Sequence, residues 1–153
     1  MEVVENEVVR QLKSQIGKEF NASPSALGAW LKGTIRKVEP GSLTIDFVVR
    51  EEMTNTAKTL HGGATAAIID DTIGMTVECL GRDNFHTTIN LSIDYLSAAK
   101  IGEVITATSK IHREGKNIVN ADCIITNAEG KVLSKGTSNL ILTNFPKPSF
   151  SQR

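Results

Sequence analysis

The sequence has few residues that could form disulfides or bind a structural metal. Of its 153 residues only two are cysteines, Cys79 and Cys123, which stand far apart in apolar surroundings. We interpret both as small buried thiols, because free cysteine packs like a small apolar residue. No Cys/His pair has the spacing of zinc ligands, so we expect no structural metal. A disulfide would need an oxidising compartment that nothing else in the chain supports, and the expected location is the cytoplasm.

The chain also lacks net charge and a long apolar run. Seventeen Lys and Arg residues balance seventeen Asp and Glu residues, so the composition predicts neither a nucleic-acid partner nor an anionic membrane surface. The longest apolar-rich stretch, Ala64 to Leu80, is interrupted by three acidic residues. No stretch reaches the roughly 20 apolar residues of a transmembrane helix. The first seven residues are acidic and polar, unlike a signal peptide. We therefore expect a globular protein that does not contact a membrane.

Hydrophobic periodicity predicts an α+β fold. Apolar residues four positions apart predict a helix over residues 3–20, and a second, long helix is predicted over Gly63 to Leu80. Alternating apolar residues predict six strands, at residues 30–38, 42–49, 85–95, 104–112, 118–126 and 132–142. This element order predicts an antiparallel sheet packed on one long helix, with free edges that a second copy could cover. We expect one domain over residues 1–144 and a mobile tail over residues 145–153.

The long helix carries an acidic residue on an unusual face. Its residues are apolar or small nearly all round, so the helix should be buried. Asp70 projects from the middle of a face of small residues, whereas Asp71 is rotated by about 100° and is expected to be the solvated carboxylate. A buried carboxylate is costly unless it is hydrogen-bonded or opens onto a site. Two interpretations of Asp70 stay open: a functional group, or a structural acid bonded to backbone or threonine hydroxyls at a subunit interface.

The segment His61-Gly62-Gly63 stands where this helix begins. The first N–H groups of a helix have no internal partners, so they can bind an oxygen with negative charge. A glycine pair at this position more often marks only a tight turn, and a single histidine there is more often a loop residue. The other two histidines, His86 and His112, are predicted to be strand residues, and we assign them no role.

Taken together, the stretch from Asn55 to Asp70, NTAKTLHGGATAAIID, resembles the hot-dog-fold acyl-CoA thioesterases of the phenylacetate-pathway and thioesterase-superfamily type. The resemblance extends from about Gly41 to Leu142 and includes the strand TINLSIDYL and the KIGE segment after it. It implies a hot-dog fold, in which a curled antiparallel sheet wraps one central helix. It also implies a homo-oligomer, a dimer or homotetramer, with active sites at the subunit interface.

The resemblance further implies roles for individual residues. Asp70 would activate a water molecule, or attack the thioester itself, and the Gly62 N–H would bind the thioester oxygen. Asn55 and His61 would position the carbonyl or the water, and Thr88 would orient the water and the carboxylate. The implied substrate contacts, some of them near the CoA phosphates, are Gly63, Tyr95, Ser97, Lys100, Arg113 and Lys116. No cofactor is implied, because coenzyme A is part of the substrate.

Two other functions stay open beside acyl-CoA or aryl-CoA hydrolysis. A hot-dog dehydratase or hydratase usually has prolines near its histidine, and none stands near His61. A non-catalytic acyl-CoA-binding module, for example a regulator, is the other alternative. A DNA-binding regulator should bring a basic helix-turn-helix segment, which the N-terminal region lacks. The sequence therefore predicts a thioesterase, but neither its acyl-chain preference nor its pathway.

Overall fold

The computed structural model describes residues 5–147 and consists of three α-helices, a short 3-10 helix and six strands. Glu7–Ser14 forms α1, Ala26–Leu31 forms α2 and Gly62–Glu78 forms α3, and the 3-10 turn is Glu51–Met53. The strands are β1 Thr34–Glu39, β2 Ser42–Val48, β3 Asn84–Tyr95, β4 Val104–Glu114, β5 Ile118–Thr126 and β6 Val132–Pro146.

The N-terminal region differs from the single helix predicted over residues 3–20. The helix α1 begins at Glu7 and ends at Ser14. Gly17 then takes a positive φ of 82°, which a continuing right-handed helix does not allow, and its N–H donates to the Ile35 carbonyl in β1. The apolar spacing continues to Phe20 because this side chain is buried from extended backbone beyond the helix. Residues 3 and 4 lie outside the described part of the chain.

A short helix replaces the start of the first predicted strand. Trp30, which the alternation pattern places at the start of that strand, lies in α2 instead. The Ser25 hydroxyl caps this helix by accepting a hydrogen bond from the Gly28 N–H at 3.1 Å. The helix ends at Leu31, because its C-cap Lys32 has a left-handed φ of 53°, and β1 begins only at Thr34. A helix of six residues is too short for its periodicity to be distinguished from a strand's.

The six strands form one antiparallel sheet in the order β1-β2-β4-β5-β6-β3. The sheet curls around α3, which contacts five of its strands. Both sides of this interface supply core residues: α3 buries Ile68, Ile69 and Ile73, and every second residue of β4, from Ile105 onward, faces it. The predicted α+β fold, a curled sheet around one long helix, is therefore confirmed.

The C-terminal strand is longer than predicted. Strand β6 continues to Pro146, which pairs with Asn84 of β3, so residues 145 and 146 belong to the sheet and not to a tail. The end of this strand is anchored by Lys147, whose N–H donates to the Asp83 carbonyl and whose ammonium group lies 3.0 Å from Glu78. The rest of the predicted tail, residues 148–153, lies outside the described residues.

Strand β3 forms one edge of the sheet and contains a bulge that decides which side chains face α3. Thr88 pairs with Leu140 and Asn90 pairs with Asn139, so Ile89 is an extra residue in β3. A one-residue bulge exchanges the inward and outward faces of a strand. His86 and Thr88 therefore face α3 before the bulge, whereas Leu91 and Ile93 pack against the core after it.

Candidate active site

The carboxylate of Asp70 is half-buried in the middle of α3 and points to the edge strand β3. One of its oxygens, Oδ1, accepts a hydrogen bond from the Thr88 hydroxyl at 2.9 Å. The other oxygen, Oδ2, receives no hydrogen bond from the described residues. The structure thus combines features of both interpretations of Asp70. A threonine hydroxyl holds the carboxylate, yet the group keeps an acceptor oxygen for a water or a ligand.

Asp70 and Thr88 line a cavity of about 830 Å³ between α1, α3, β3 and residues 23–25. Apolar walls come from Val8, Met75, Phe85 and Leu140, and polar groups are interspersed among them. A volume of several hundred cubic ångströms with mostly apolar walls and a few polar groups is typical of a site for a small organic molecule. The cavity can therefore hold a small organic molecule beside Asp70.

The prediction that Asp71 is the solvated carboxylate is wrong. The side chain lies beneath α2, and a Cβ atom added at Gly28 would be 2.8 Å from its Oδ2. Burial, and secondly the charge of Asp70, raise the pKa of Asp71 to about 6, against which a hydrogen bond from Ser25 acts weakly. Asp71 lies on a different face of α3 from Asp70, and α2, from elsewhere in the chain, covers that face.

The loop before α3 presents an unpaired N–H group. The His61 Nδ1 accepts a hydrogen bond from the Gly63 N–H at 2.8 Å, which places the neutral ring's proton on Nε2. Gly62 is the first residue of α3, and its N–H has no acceptor among the described residues. Its carbonyl accepts a hydrogen bond from the Tyr95 hydroxyl at 3.0 Å. His61 and Tyr95 thus hold the helix start while the Gly62 N–H stays available for an external oxygen.

The side chain of Asn55 is engaged in its own loop. Its Oδ1 accepts hydrogen bonds from the Ala57 and Thr59 N–H groups at 3.0 and 3.2 Å. Its Nδ2 donates to the Thr59 hydroxyl at 3.0 Å. These bonds tie the loop together just before His61, whose N–H donates to the Met53 carbonyl. Asn55 therefore shapes the loop that carries His61 and lies apart from Asp70.

The remaining predicted substrate contacts divide between the two ends of the sheet. Lys100 lies beside the His61 loop, where it bridges to Thr59 and its N–H donates to the Glu103 side chain. Ser97 is at the same end and donates its N–H to the Leu133 carbonyl. Arg113 and Lys116 lie at the β4–β5 hairpin at the opposite end, where the Lys116 carbonyl accepts a hydrogen bond from Arg82. One chain does not bring these basic groups together.

A single chain also separates the two groups expected to act on the carbonyl. Gly62 and Asp70 stand eight residues apart on α3. Since a helix rises 1.5 Å per residue, about 12 Å separates their backbones along the axis. Both groups cannot reach one thioester carbonyl from the same chain. The pairing of Asp70 with Gly62 therefore stays a prediction about two chains.

His86, for which the sequence predicts no role, lies in the wall of the cavity. Its side chain is only 4% exposed, and neither ring nitrogen has a hydrogen-bond partner among the described residues. Burial, and then the charges of Arg82 and Lys147, lower its pKa. The signal in the sequence is its position two residues before Thr88, which puts both side chains on the same face of β3.

Other features bear on metals, thiols and membranes. Residues 5–147 contain no cluster of three or more His, Cys, Asp or Glu side chains that could hold a metal ion. Both cysteines are buried free thiols, as predicted. Within the same residues, no helix combines the length and apolarity that crossing a bilayer requires.

Comparison with known proteins gives the family. Residues 57–134 match the thioesterase superfamily. Acyl-coenzyme A thioesterase 13 of Homo sapiens is 34% identical over 114 residues, which are 74% of this chain and 81% of that protein. A hypothetical thioesterase from Streptococcus pneumoniae TIGR4, solved with coenzyme A, has a TM-score of 0.70 and 28% identity over 75% of this chain and 88% of its own. The E. coli PaaI protein from the phenylacetic acid degradation operon has a TM-score of 0.79 and 18% identity over 93% of this chain and 98% of its own. At this identity the similarity shows the fold alone. The chain therefore belongs to the thioesterase superfamily and is a thioester hydrolase with the hot-dog fold.

Proposed function

We propose that the protein is an acyl-CoA thioesterase, which hydrolyses acyl- or aryl-CoA to the free acid and coenzyme A. The observation that carries the proposal is the Asp70 carboxylate, held by the Thr88 hydroxyl at the wall of a cavity of acyl-group size. The similarity to human acyl-coenzyme A thioesterase 13 and to a thioesterase solved with coenzyme A supports the same substrate class.

In the proposed reaction Asp70 is the general base. Thr88 occupies Oδ1, so a water molecule can donate its hydrogen bond to Oδ2. The water attacks the thioester carbonyl carbon while Asp70 takes its proton, and collapse of the tetrahedral intermediate breaks the carbon–sulfur bond. The proton on Asp70 then passes to the departing CoA thiolate. General-base assistance of this kind contributes roughly 10²–10⁴-fold to the rate. No cofactor takes part.

The proposed oxyanion donor is the Gly62 N–H. It is unpaired among the described residues and stands at the positive end of a 17-residue helix, where an oxygen with developing negative charge is stabilised. A single donor of this type contributes roughly 10²–10³-fold. His61 and Asn55 act on this step indirectly, because their hydrogen bonds shape the loop that presents Gly62.

Because the two groups are about 12 Å apart in one chain, we propose that a second copy supplies Gly62 to each Asp70. The free edge of β3 is twelve residues long and carries the half-exposed apolar side chains Phe85 and Ile89. Antiparallel pairing of two β3 edges would place the Tyr95 end of one copy beside the Asn84 end of the other. The partner's His61 loop would then approach the cavity. A dimer is the minimal assembly, and a homotetramer would contain two such dimers.

The same arrangement would bring together basic groups that one chain separates. The Lys100 end of one copy would approach the hairpin end of the other, with Arg113 and Lys116. We propose these residues as contacts for the CoA phosphates, and Gly63, Tyr95 and Ser97 as the surface that the pantetheine arm crosses. We also propose a reducing, cytoplasmic location, which the two buried free thiols support.

The test is thiol release from a panel of short, long and aryl acyl-CoA esters by the wild type and by Asp70→Asn. This substitution keeps the shape of the side chain and removes the base. We expect kcat to fall at least about a hundredfold, in line with the usual contribution of a general base. The matched control is Asp122→Asn, on a carboxylate that pairs with His112 and does not line the cavity; it should keep wild-type activity.

Three results would contradict the proposal. A wild type that binds these esters without hydrolysing any of them would be a binding module. An Asp70→Asn variant as active as the wild type would leave Asp70 as a structural acid. Light scattering at micromolar concentration should show a dimer or tetramer, and a persistent monomer would remove the composite site.

A further inference from the structure

We propose that Gly74 is a specificity residue, whose missing side chain leaves room for a medium-length acyl chain to lie along α3. The inference rests on the proposed function, because it concerns the acyl group of the same substrate. It adds to the catalytic groups a residue that contacts the substrate away from the reacting carbonyl and takes no part in the chemistry.

Gly74 lies in the wall of the cavity, one helical turn after Asp70. Residues four apart lie on the same face of a helix, and about 6 Å separates them along its axis. Gly74 is half-buried, so the cavity reaches its backbone. An acyl group that has its carbonyl beside Asp70 and extends along α3 toward the end of the helix would therefore pass over Gly74.

Neither of the usual structural reasons for a glycine applies to Gly74. Its φ is not positive, and a Cβ atom added there would meet nothing within 4 Å. At Gly28, by contrast, an added Cβ would stand 2.8 Å from the Asp71 carboxylate. At Gly136 it would stand 2.9 Å from Ile69, so packing accounts for these two glycines. Since glycine inside a helix is less stable than alanine, what Gly74 provides is open space in the cavity.

The cavity has apolar walls near Gly74. Met75 follows it in α3, and Val8 of α1 lines the same cavity. Both side chains are half-buried and pack against the core, so each keeps accessible apolar surface. Each methylene group that such surface removes from water strengthens binding roughly fourfold. The part of the acyl chain that lies over Gly74 would therefore contribute to the selection of the substrate.

The far end of the cavity is polar and limits the length of the chain. Glu78 and Lys147 line the cavity and pair with each other at 3.0 Å. Glu78 stands eight residues after Asp70 on α3, about 12 Å along the axis, a distance that an extended chain of about nine or ten carbons covers. An apolar chain end gains nothing by displacing water from an ion pair. The acyl chain should therefore end before Glu78.

The experiment measures thiol release from butyryl-, octanoyl- and dodecanoyl-CoA by the wild type and by Gly74→Ala, Gly74→Val and Gly74→Leu. In the wild type, kcat/KM should be at least about tenfold higher for octanoyl-CoA than for butyryl-CoA, because four more methylene groups are buried. Dodecanoyl-CoA should bring no further gain. The octanoyl-to-butyryl ratio should fall with the size of the new side chain, to about one in Gly74→Leu. Butyryl-CoA ends before Gly74, so its kcat/KM should change little.

Stability measurements separate a role in specificity from a role in packing. The Gly74→Ala variant places a methyl group in open space and removes a glycine from the helix, so its Tm should rise by about 2–4 °C. A glycine that packing requires would give a lower Tm. The matched control is Ala128→Leu, which adds a leucine in the exposed turn between β5 and β6, outside the cavity. Its octanoyl-to-butyryl ratio should equal that of the wild type.

Several outcomes would overturn the inference. A folded Gly74→Leu variant with the wild-type ratio, or with equal losses for both esters, refutes the role of Gly74 and leaves the proposed function standing. A wild type that prefers butyryl-CoA has the same meaning. If light scattering shows that Gly74→Leu loses its assembly, a partner subunit fills the space and the inference is wrong. If no ester of the wider panel is hydrolysed, the proposed function fails and the inference fails with it.

Discussion

The burial of Asp71 predicts that this residue destabilises the folded protein at neutral pH. Its carboxylate lies under α2 and lines the cavity close to Asp70. Burial, followed by the charge of Asp70, raises its pKa from 3.8 to about 6. The folded chain therefore binds this proton more tightly than the unfolded chain does. The contribution of Asp71 to stability is therefore most favourable below about pH 4, and it decreases as pH rises from about 4 to about 6.

The size of the effect follows from the pKa difference. About two pKa units, at roughly 1.4 kcal/mol each, make the ionised carboxylate cost about 3 kcal/mol in the folded state. The substitution Asp71→Asn removes the charge and keeps the shape. It weakens the hydrogen bond with Ser25, which offsets about 1 kcal/mol of the gain. We expect Asp71→Asn to raise the free energy of unfolding by about 2 kcal/mol at pH 7.5, equivalent to about 4–8 °C in Tm for a chain of this size.

The assay is urea unfolding of the wild type and of Asp71→Asn at pH 7.5 and pH 4, at one protein concentration because assembly contributes to stability. At pH 4 the folded wild type carries an uncharged Asp71, so the gain should disappear, and the weakened Ser25 hydrogen bond should leave Asp71→Asn no more stable than the wild type. Asp83→Asn is the control, since Asp83 is exposed, and it should change stability little at either pH. A variant no more stable than the wild type at pH 7.5, or a gain of equal size at pH 4, would refute the reasoning.

Three further predictions concern the remaining groups of the site. The Gly62→Pro variant should fold normally, because the first helical position needs no N–H. Its kcat should be roughly 10²–10³-fold lower than that of Gly62→Ala, which keeps the N–H. Equal kcat values for the two variants would exclude Gly62 as the oxyanion donor. The Thr88→Val variant loses the hydrogen bond to the Asp70 carboxylate, so its kcat should fall roughly tenfold or more with little change in KM. Thr88→Ser keeps the hydroxyl and should retain most of the rate. The lowered pKa of His86 means that the folded chain binds this proton less tightly than the unfolded chain, so stability is lost as pH falls below about 6.5. The Tm of His86→Gln should therefore fall less between pH 7 and pH 5 than the Tm of the wild type. Equal decreases in Tm for the two proteins would contradict this prediction.

Some of the site could be predicted from the sequence because it depends on local geometry. Helical periodicity places Asp70 on the small-residue face of α3, and the strand pattern places Thr88 in β3. A helix that begins near His61 implies first N–H groups without internal partners, and the Gly62 N–H has no acceptor among residues 5–147. These features depend only on the angle between successive residues of one element and on their polarity.

Other features depend on contacts between segments distant in the chain. Asp71 is buried because α2 packs over it, and the sequence pattern of α3 carries no information about that neighbour. His86 faces the cavity together with Thr88, and the bulge at Ile89 then lets the apolar residues after it face the core. Since alternation alone predicts an unbroken strand, the position of the bulge could not be read from it.

Periodicity in the sequence predicts the six strands in order, the buried central helix and the acidic residue on its small-residue face, but it misses α2. Packing between distant segments sets the end of α1 at Ser14, the extension of β6 to Pro146, and which strand forms the free edge. This packing also leaves Oδ2 of Asp70 without a hydrogen-bond donor among residues 5–147, while α2 covers Asp71. The physical reason is that periodicity reports how the residues of one element are arranged around its axis. Burial and pKa depend on what packs against that element from elsewhere in the chain.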